Sequence, residues 1–303
     1  MTGERRPARK RSREVRRVLY AMLLVNVTLV LAKAVAGWRT GSLAVIGGAI
    51  DSGVDTLTTV VALLLAGVAS REPDERHPYG HAKFETLGAL AIVAFLSITV
   101  FELVQKAIGR LRDPAAEVVD TTLAIWVMTG SLVVGLLASS YEAQRGRALR
   151  SDLLLADAAH LRADVYVTVA VLGGLFLTRF GVPTADTWIT LLVAVLIART
   201  GWEIIRGAIP VLVDERAIEA GEIRRLALDM SGVHEVYDVR SRGRHGEVFA
   251  ELTIAVGGRL DVEQAHEIAD AVERELTRRL GARGVLVHVE PLRSTPSRET
   301  ETR

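Results

Sequence analysis

Two pairs of ionisable side chains interrupt stretches of the sequence that are otherwise apolar. Asp51 and Asp55 lie in Ile-Asp-Ser-Gly-Val-Asp, and His160 and Asp164 lie in Asp-Ala-Ala-His-Leu-Arg-Ala-Asp. The members of each pair are spaced i, i+4, so on a helix they project from one face about 6 Å apart along the axis. Carboxylates and imidazoles are ordinary metal ligands, and two facing pairs supply the four ligands of a tetrahedral divalent cation.

Acidic side chains gathered inside a membrane need a neutralising charge. One carboxylate at mid-bilayer costs about 2.5–3.5 kcal/mol on insertion scales, and several carboxylates brought together also repel one another. The basic residues considered as partners for them are Lys33 in the first apolar stretch and Arg162 in the fifth. The acids are Asp51, Asp55, Asp157 and Asp164. Because two bases compensate poorly for four acids, the sequence favours a bound cation, or protons in its absence, over acid–base pairing alone.

A second group of candidate ligands follows the second apolar stretch. Asp74, His77 and His81 stand at positions i, i+3 and i+7, so on a helical turn they would share one face. Their donor atoms suit Zn²⁺. The alternative is a solvated polar loop whose histidines only cap or hydrogen-bond to the backbone, and the spacing alone leaves both interpretations open.

Six apolar stretches are long enough to hold these residues within a membrane. A helix needs about 20 residues to cross the hydrocarbon core. The first, third and fourth stretches are plain hydrophobic runs, the second and fifth carry the charged pairs, and the sixth is short and the weakest. The stretches are 18–38, 42–69, 87–108, 123–140, 153–177 and 188–205. They predict a membrane domain of six helices over 17–208.

Lysine and arginine lie mainly on one side of the predicted spans. A basic arm, 1–16, precedes the first span, and the connections after the second and fourth spans are richer in basic residues than those after the first and fifth. Positive residues mark the cytoplasmic side, so we expect a multi-pass protein of the cell membrane, surrounded by lipid, with both termini cytoplasmic. The arm is interpreted as a disordered segment that directs topology rather than as a nucleic-acid-binding element.

The composition excludes several classes of protein. The 303 residues include 37 Lys and Arg against 36 Asp and Glu, so the net charge of +1 provides no bulk field for nucleic acid. The absence of cysteine excludes disulfides, cysteine zinc fingers, iron–sulfur clusters and a thiol nucleophile. Because 50% of the residues are hydrophobic, neither intrinsic disorder nor an average soluble enzyme fits.

A soluble pattern begins after the last apolar stretch. The region 209–291 predicts a small α+β domain of order αββαβ, with its helices on one face of the sheet. The expected helices are 215–230 and 262–280, and the expected strands are 235–241, 247–256 and 285–290, with a hairpin turn at 243–246. The segment 292–303 is rich in Ser, Thr, Arg and Glu and is expected to be a disordered tail.

The chain resembles the cation diffusion facilitator family, whose members are six-span exporters of divalent metals with a cytoplasmic C-terminal domain. The resemblance covers about 42–291 and rests on three ordered motifs. They are Ser-Leu-Ala-Val-Ile-Gly-Gly-Ala-Ile-Asp-Ser-Gly-Val-Asp at 42–55, His-Pro-Tyr-Gly-His-Ala-Lys-Phe-Glu at 77–85 and Ala-Ala-His-Leu-Arg-Ala-Asp at 158–164. In such proteins the intramembrane pairs form the transport site, which here corresponds to Asp51, Asp55, His160 and Asp164.

The resemblance implies further roles at the membrane–cytosol boundary. It implies a peripheral metal site formed by Asp74, His77 and His81. It also implies a homodimer in which Lys83 and Asp214 form salt bridges at the junction beneath the membrane. The alternative is that these two residues are ordinary interfacial charges.

The soluble domain matches the metallochaperone-like module of the family less completely. His266, His288 and Glu290 fall where family members place ligands for a two-metal site at the domain's dimer interface. Tyr237 and Thr253 stand where histidines are expected, and neither is a good zinc ligand. A single weaker site, or a dimer without metal, therefore fits at least as well as a complete binuclear site.

Zn²⁺ is the expected cargo and also the expected metal of any structural site. One imidazole and three carboxylates suit Zn²⁺ and also Fe²⁺, Mn²⁺ or Cd²⁺, whereas no thiolate or methionine pair is available for Cu⁺. Within the resemblance, a histidine in the fifth-span pair goes with zinc, cadmium or iron. Metal binding requires neutral His160, so protons compete with the metal and metal/proton antiport is expected. No nucleotide is implied, because the sequence has no phosphate-binding loop.

Two other functions remain as alternatives: an intramembrane metal-dependent enzyme and a membrane-tethered metal sensor. The sequence contains no Gly-x-Gly-Asp, His-Glu-x-x-His or Gly-x-Ser-x-Gly motif, so we do not expect an enzyme. A sensor would bind metal without moving it across the membrane.

Overall fold

A computed structural model describes residues 5–40, 43–112, 122–179, 185–244 and 247–292. Within it the chain divides into two compact units, 1–209 and 210–303, and each is described here by itself. The positions 245–246 of the expected hairpin turn and the residues 293–303 of the expected tail lie outside the described residues.

The first unit is built from six long helices. The helices are α1 (Arg5–Thr40), α2 (Leu43–Ala69), α3 (Lys83–Arg112), α4 (Thr122–Leu149), α5 (Asp152–Arg179) and α6 (Ala185–Leu212), the last three residues of α6 belonging to the second unit. Five of the helices extend beyond their apolar stretches because helical hydrogen bonding continues into the polar flanks, whereas α2 agrees with the stretch 42–69 to within one residue.

Four of these helices are long and apolar enough to cross a membrane. The membrane-length segments are Lys10–Arg39, Gly48–Ala69, Lys83–Gly109 and Thr187–Leu212. The sixth apolar stretch was the weakest in the sequence. In the structure it is part of α6, whose apolar segment continues to Leu212 and is long enough to cross a membrane. Helices α4 and α5 have 28 residues each but are not among these four segments within the described part of the chain, and the count of six spans stays a prediction.

The basic N-terminal segment differs from the disordered arm that its composition predicts. From Arg5 onward it is the first part of α1. Arg11 explains part of this order, because its guanidinium forms a two-pronged ion pair with Glu85 at 3.0–3.1 Å and donates to two backbone carbonyls at the end of α4. Arg145 of α4 also pairs with Glu14 at 2.9 Å. These contacts fasten the start of α1 to α3 and α4.

Small residues let the helices of the first unit approach closely. The buried core alternates large side chains with alanines, and a Cβ added to Gly88 of α3 would lie 2.6 Å from Leu153 of α5. Close packing of this kind holds membrane helices together, since lipid supplies no hydrophobic drive between them. The core residues are Leu19, Ala62, Ala66, Ala89, Ile92, Leu153, Leu154 and Ala156.

The second unit has the predicted αββαβ order. Its elements are α7 (Ala220–Leu228), β1 (Val233–Arg244), β2 (Glu247–Val256), α8 (Val262–Leu280) and β3 (Ala282–Pro291). The sheet order is β1-β2-β3, with β1 antiparallel and β3 parallel to β2. Both helices pack on one apolar core with alternate residues of β2, as an amphipathic helix and a half-buried strand require.

The predicted bounds of this unit differ mainly at its first helix. Helix α8 has its predicted bounds, set by a capping box between Asp261 and Gln264 and by Gly281 in the left-handed conformation after its last turn. Helix α7 is shorter than predicted, because Glu219 is its N-cap and the residues before it hydrogen-bond to Ser241 of β1 instead.

Candidate metal centres

The structure brings three of the four intramembrane candidates into one cluster. Asp55 of α2 and His160 and Asp164 of α5 each offer a ligand atom, and the three atoms lie within 4.8 Å of one another. His160 Nε2 is 3.4 Å from Asp55 Oδ1. A cation placed among them would be held by two carboxylates and one imidazole, which is the number of protein ligands in a zinc site that keeps one position open.

The local sequence of α5 explains how these side chains reach the interior. His160 and Asp164 share one face of the helix at the i, i+4 spacing, and the residues around them include Ala158, Ala159 and Ala163, all buried. Such small side chains leave room for neighbouring helices, so the imidazole and the carboxylates are enclosed. His160 is 3% exposed.

The cluster leaves several buried polar atoms without partners. Within the described residues, His160 Nδ1 and Asp164 Oδ2 have no hydrogen-bond partner, and His160 Nε2, which is 3.4 Å from Asp55 Oδ1, does not form a hydrogen bond with it. A buried polar group left in this way costs about 1–3 kcal/mol, and more if it is charged. A divalent cation, or protons, would satisfy these atoms.

Asp51 lies outside this three-ligand cluster. It stands one turn before Asp55 on α2 and is exposed. Two of the basic residues that could have neutralised the acids form hydrogen bonds elsewhere, while a third, Lys106 of α3, lies near Asp51. Lys33 donates to the Ser52 hydroxyl at 2.8 Å, and Arg162 donates to a carbonyl of its own helix. These contacts disfavour simple acid–base pairing as the explanation of the buried acids.

Asp74, His77 and His81 also come together, but on a loop rather than on the helical turn that their spacing suggested. Asp74 Oδ1 accepts the backbone N–H groups of Arg76 at 3.0 Å and His77 at 2.7 Å. The His77 N–H, with further help from the His77 ring and the Arg76 N–H, lowers the pKa of the Asp74 carboxyl below its ordinary value. The prediction of a shared helix face was wrong because Asp74 forms this turn with its own backbone.

The loop aims both imidazoles at the Asp74 carboxylate. His77 Nδ1 is 3.1 Å from Oδ1 and His81 Nε2 is 3.4 Å from Oδ2. Gly80 allows the chain to turn between the two histidines, since its φ of +92° is open mainly to glycine. The ring of Phe84, at the start of α3, stacks on His81, which is buried. The loop therefore presents three ligand atoms within 4.8 Å of one another.

The candidate ligands of the second unit do not form a three-ligand cluster within the described residues of one chain. His266 is 75% exposed on α8 and lies 3.7 Å from Asp270. His288 lies beside Thr253 on the sheet and 3.7 Å from Glu290. The other oxygen of that carboxylate accepts a 2.6 Å hydrogen bond from the Tyr237 hydroxyl.

Tyr237 and Thr253 are direct neighbours across β1 and β2, and Thr253 is in turn the neighbour of His288. The two positions where histidines were expected therefore lie in one row with His288. Because Tyr237 uses its hydroxyl to bind Glu290, this row is a hydrogen-bonded surface of the sheet with few free ligand atoms.

Asp214 follows the last residue of α6 by two positions and lies in the second unit. Its φ of +55° places it in the left-handed region, and the next N–H closes the helix end by bonding to the carbonyl of Pro210. Its carboxylate is 3.5 Å from Arg242 of β1. Lys83 is the first residue of α3, in the other unit. The salt bridge between Lys83 and Asp214 stays a prediction.

Sequence reasoning missed two residues that the structure places beside the buried acids. Glu142 of α4 and Thr59 of α2 are both fully or almost fully buried. Thr59 donates toward Asp157 at 3.4 Å. The only signal in the sequence is that Glu142 follows an apolar stretch at helical spacing, which does not distinguish a buried acid from a surface one.

Comparison with known proteins covers almost the whole chain. Residues 19–213 match the cation efflux transmembrane domain, and residues 216–292 match the cytoplasmic domain of cation efflux proteins. A cation-efflux pump FieF of Cronobacter sakazakii is 31% identical over 94% of this chain and 95% of its own length. The manganese efflux system protein MneS of Bacillus subtilis is 26% identical over 90% and 94%.

Solved structures of two isolated domains are similar to part of the second unit. The zinc form of CzrB is 27% identical, covers 26% of this chain and 98% of its own, and has a TM-score of 0.23. The manganese form of the MamM C-terminal domain is 28% identical, covers 23% and 91%, and has a TM-score of 0.22.

Proposed function

We propose that this chain, which belongs to the cation efflux family and therefore exports a divalent metal cation across a membrane, carries Zn²⁺ in exchange for protons. Family membership makes it a multi-pass transporter and not an enzyme. The observation that carries the proposal is the buried cluster of Asp55, His160 and Asp164, whose unpartnered atoms need a cation or protons. Asp51, one turn away, would complete a set of four ligands after a small rearrangement of α2.

The donor atoms favour zinc over the other candidates. One imidazole nitrogen with carboxylate oxygens is a borderline set that suits Zn²⁺ at four-coordinate geometry. The same set accepts Fe²⁺, Cd²⁺ or Mn²⁺, and the similarity to the manganese efflux protein MneS makes Mn²⁺ an alternative cargo that needs a direct test. Manganese prefers sites in which all the ligands are oxygen atoms, so the presence of His160 favours zinc.

Proton exchange follows from the chemistry of the same ligands. Imidazole binds metal only in its neutral form, and its reference pKa of about 6.5 is close to cytosolic pH. Metal binding therefore displaces protons, and protons that arrive from the outside displace the metal. Alternate exposure of one such cluster to the two sides of the membrane gives antiport without a nucleotide.

The remaining features fit a homodimeric exporter with six spans and both termini in the cytoplasm. In this arrangement the loop cluster of Asp74, His77 and His81 lies at the cytoplasmic membrane surface and binds metal there. The soluble unit would form the dimer, with Lys83 and Asp214 at the junction.

Transport by purified protein in proteoliposomes under a pH gradient tests the proposal. We expect Zn²⁺ flux that requires the gradient, and we expect His160→Ala to lose it while the variant remains folded. His234→Ala is the matched control, because His234 is exposed in the soluble unit. Zinc flux in His160→Ala equal to that of the control would contradict the site. Binding without flux in the parent protein would indicate a sensor.

A competition assay decides the cargo. Zinc flux is measured with equal concentrations of Mn²⁺, Fe²⁺ or Cd²⁺ added in turn. We expect Mn²⁺ to inhibit least, since the imidazole contributes least to its binding. Stronger inhibition by Mn²⁺ than by Cd²⁺ would assign the transporter to manganese.

A further inference from the structure

Two carboxyl groups between α4 and α5 are buried outside the metal cluster. Glu142 is 0% exposed and Asp157 is 1% exposed. The two groups lie within hydrogen-bonding range of each other. Asp157 precedes His160 by one helical turn, so the pair lies beside the metal cluster without contributing a ligand to it.

The surroundings of this carboxyl pair provide few donors. Among the described residues, both oxygens of Glu142 and the Oδ1 atom of Asp157 have no hydrogen-bond partner. The remaining Asp157 oxygen receives a long contact of 3.4 Å from the Thr59 hydroxyl, which in turn accepts from Asn26 at 3.0 Å. Carboxylates accept hydrogen bonds but cannot donate them. Two ionised groups would therefore face each other with one weak donor, the Thr59 hydroxyl, which reaches only Asp157 and is closer to the Asp55 carbonyl at 3.2 Å.

The charged groups around the pair do not replace that missing donor. On the neighbouring helices, α2 faces Asp157 with the Asp55 carboxyl and α5 with the His160 imidazole, while α1 contributes the neutral Asn26 through Thr59. On α3, the Glu85 carboxylate forms an ion pair with Arg11. No arginine or lysine of the described residues hydrogen-bonds to either oxygen of Glu142 or to Asp157 Oδ1.

A single proton would resolve this arrangement. Two carboxyl groups in contact cannot both ionise in a medium of low dielectric constant, because the like charges repel and both lose hydration. With one proton, the acid donates to the carboxylate and forms a short, charge-assisted O–H···O⁻ bond. That bond satisfies the orphaned oxygens and leaves one negative charge instead of two.

We propose that Glu142 and Asp157 form a proton-binding site, separate from the metal ligands, in which one shared proton joins α4 to α5. This assignment goes beyond the proposed transport function, since the site binds H⁺ whether or not the protein moves metal. Helices α4 and α5 pack closely where the two carboxyl groups meet, and this packing requires the bound proton. Separation of the two helices would expose both carboxyls to water and release the proton.

The isosteric variants Glu142→Gln and Asp157→Asn test the site. Either amide supplies the hydrogen that the proton supplies in the parent protein, so both variants should fold. In the parent protein the folded state holds a proton that the unfolded state has lost, so stability falls as pH rises above the ordinary carboxyl range. The slope is about tenfold in the unfolding equilibrium constant per pH unit for one proton. The variants should lose this slope.

The measurement is the melting temperature of detergent-solubilised protein, with chelator present, at several values from about pH 5 to about pH 8. The advantage of Glu142→Gln over the parent should grow with pH. Glu203→Gln is the matched control, because Glu203 is an exposed glutamate of α6 that pairs only with Arg199 in the described structure. Parallel curves for the parent, Glu142→Gln and Glu203→Gln would overturn the proposal.

Infrared spectroscopy and the number of bound Zn²⁺ ions also test the proton-binding site. The parent protein near neutral pH should show an infrared carbonyl band of a protonated carboxyl group that is lost in Glu142→Gln or Asp157→Asn, and absence of any such band in the parent would overturn it. The number of Zn²⁺ ions bound per chain should be the same in parent and variants. A lower number in the variants would show that the pair binds metal rather than a proton.

Discussion

The two candidate metal centres use the same residue types in opposite surroundings. In the loop cluster, the Asp74 carboxylate accepts hydrogen bonds from backbone N–H groups, so it is stabilised without a bound metal. Among the described residues, the intramembrane cluster leaves both ring nitrogens of His160 and the Oδ2 atom of Asp164 buried without a hydrogen-bond partner, whereas the loop cluster leaves only His81 Nδ1 in that state. The acid of the loop cluster is therefore preorganised without metal, and the intramembrane cluster is the less satisfied of the two without a cation or protons.

This difference indicates that the two metal clusters have different functions. A preorganised, partly exposed cluster suits a metal that binds at the surface and stays there, or a metal that is captured before it enters the membrane. An unsatisfied, enclosed cluster suits a cargo whose arrival and departure change the stability of the helix packing around it. Transport needs such a difference, because a ligand shifts a conformational equilibrium only by its unequal affinity for the two states.

The largest effect is expected for Asp164→Asn. The amide removes a buried negative charge and supplies a donor, so the metal-free protein should be as stable as the parent or more stable, by about 1–3 kcal/mol. The stabilisation by zinc, about 2.7 kcal/mol at a concentration one hundredfold above the dissociation constant, should fall sharply, and transport should be lost. Melting temperatures with chelator and with zinc measure both quantities.

Asp270→Asn serves as the control for that variant, since Asp270 lies on the surface of α8. If Asp164→Asn gains as much from zinc as this control does, the intramembrane cluster is not where the stabilising metal binds.

A smaller effect is expected for His81→Ala. Loss of this ligand should weaken zinc binding at the loop by about 10-fold or more, whereas flux at saturating zinc should persist because the intramembrane cluster is intact. Zinc titration and flux measured on the same preparation separate the two. Loss of flux as complete as in His160→Ala would remove the distinction between the two centres.

The smallest effect concerns pH at the loop. The pKa of Asp74 is held below its ordinary value by the His77 N–H, so this carboxylate stays charged throughout the range from about pH 7 to about pH 5. Any metal release on acidification should then come from ligands of the loop other than Asp74. Asp74→Asn should bind zinc more weakly at every pH but should still release it as the pH falls. Binding that no longer depends on pH in this variant would assign the release to Asp74.

Much of the fold was predictable from local patterns. The apolar stretches located the six helices, and the capping residues and amphipathic spacing of 262–280 located α8. The spacing of His160 and Asp164 was sufficient to place them on one helix face. These features depend only on residues near one another in the chain.

Features that depend on tertiary contact were not predictable. The ordered start of α1 depends on Glu85, which is distant in sequence from its partner Arg11. The burial of Glu142 depends on where α4 meets α5, which the apolar pattern of α4 does not record. Asp51 looked equivalent to Asp55 in sequence, yet only the latter reaches the cluster.

Zinc anomalous diffraction, or a zinc-loaded map compared with a metal-free one, tests the central claim most directly. We expect metal density between Asp55, His160 and Asp164 in addition to density at the loop, and we expect the first to disappear in His160→Ala while the second remains. Metal found only at the loop of an actively transporting preparation would contradict the assignment of the buried cluster.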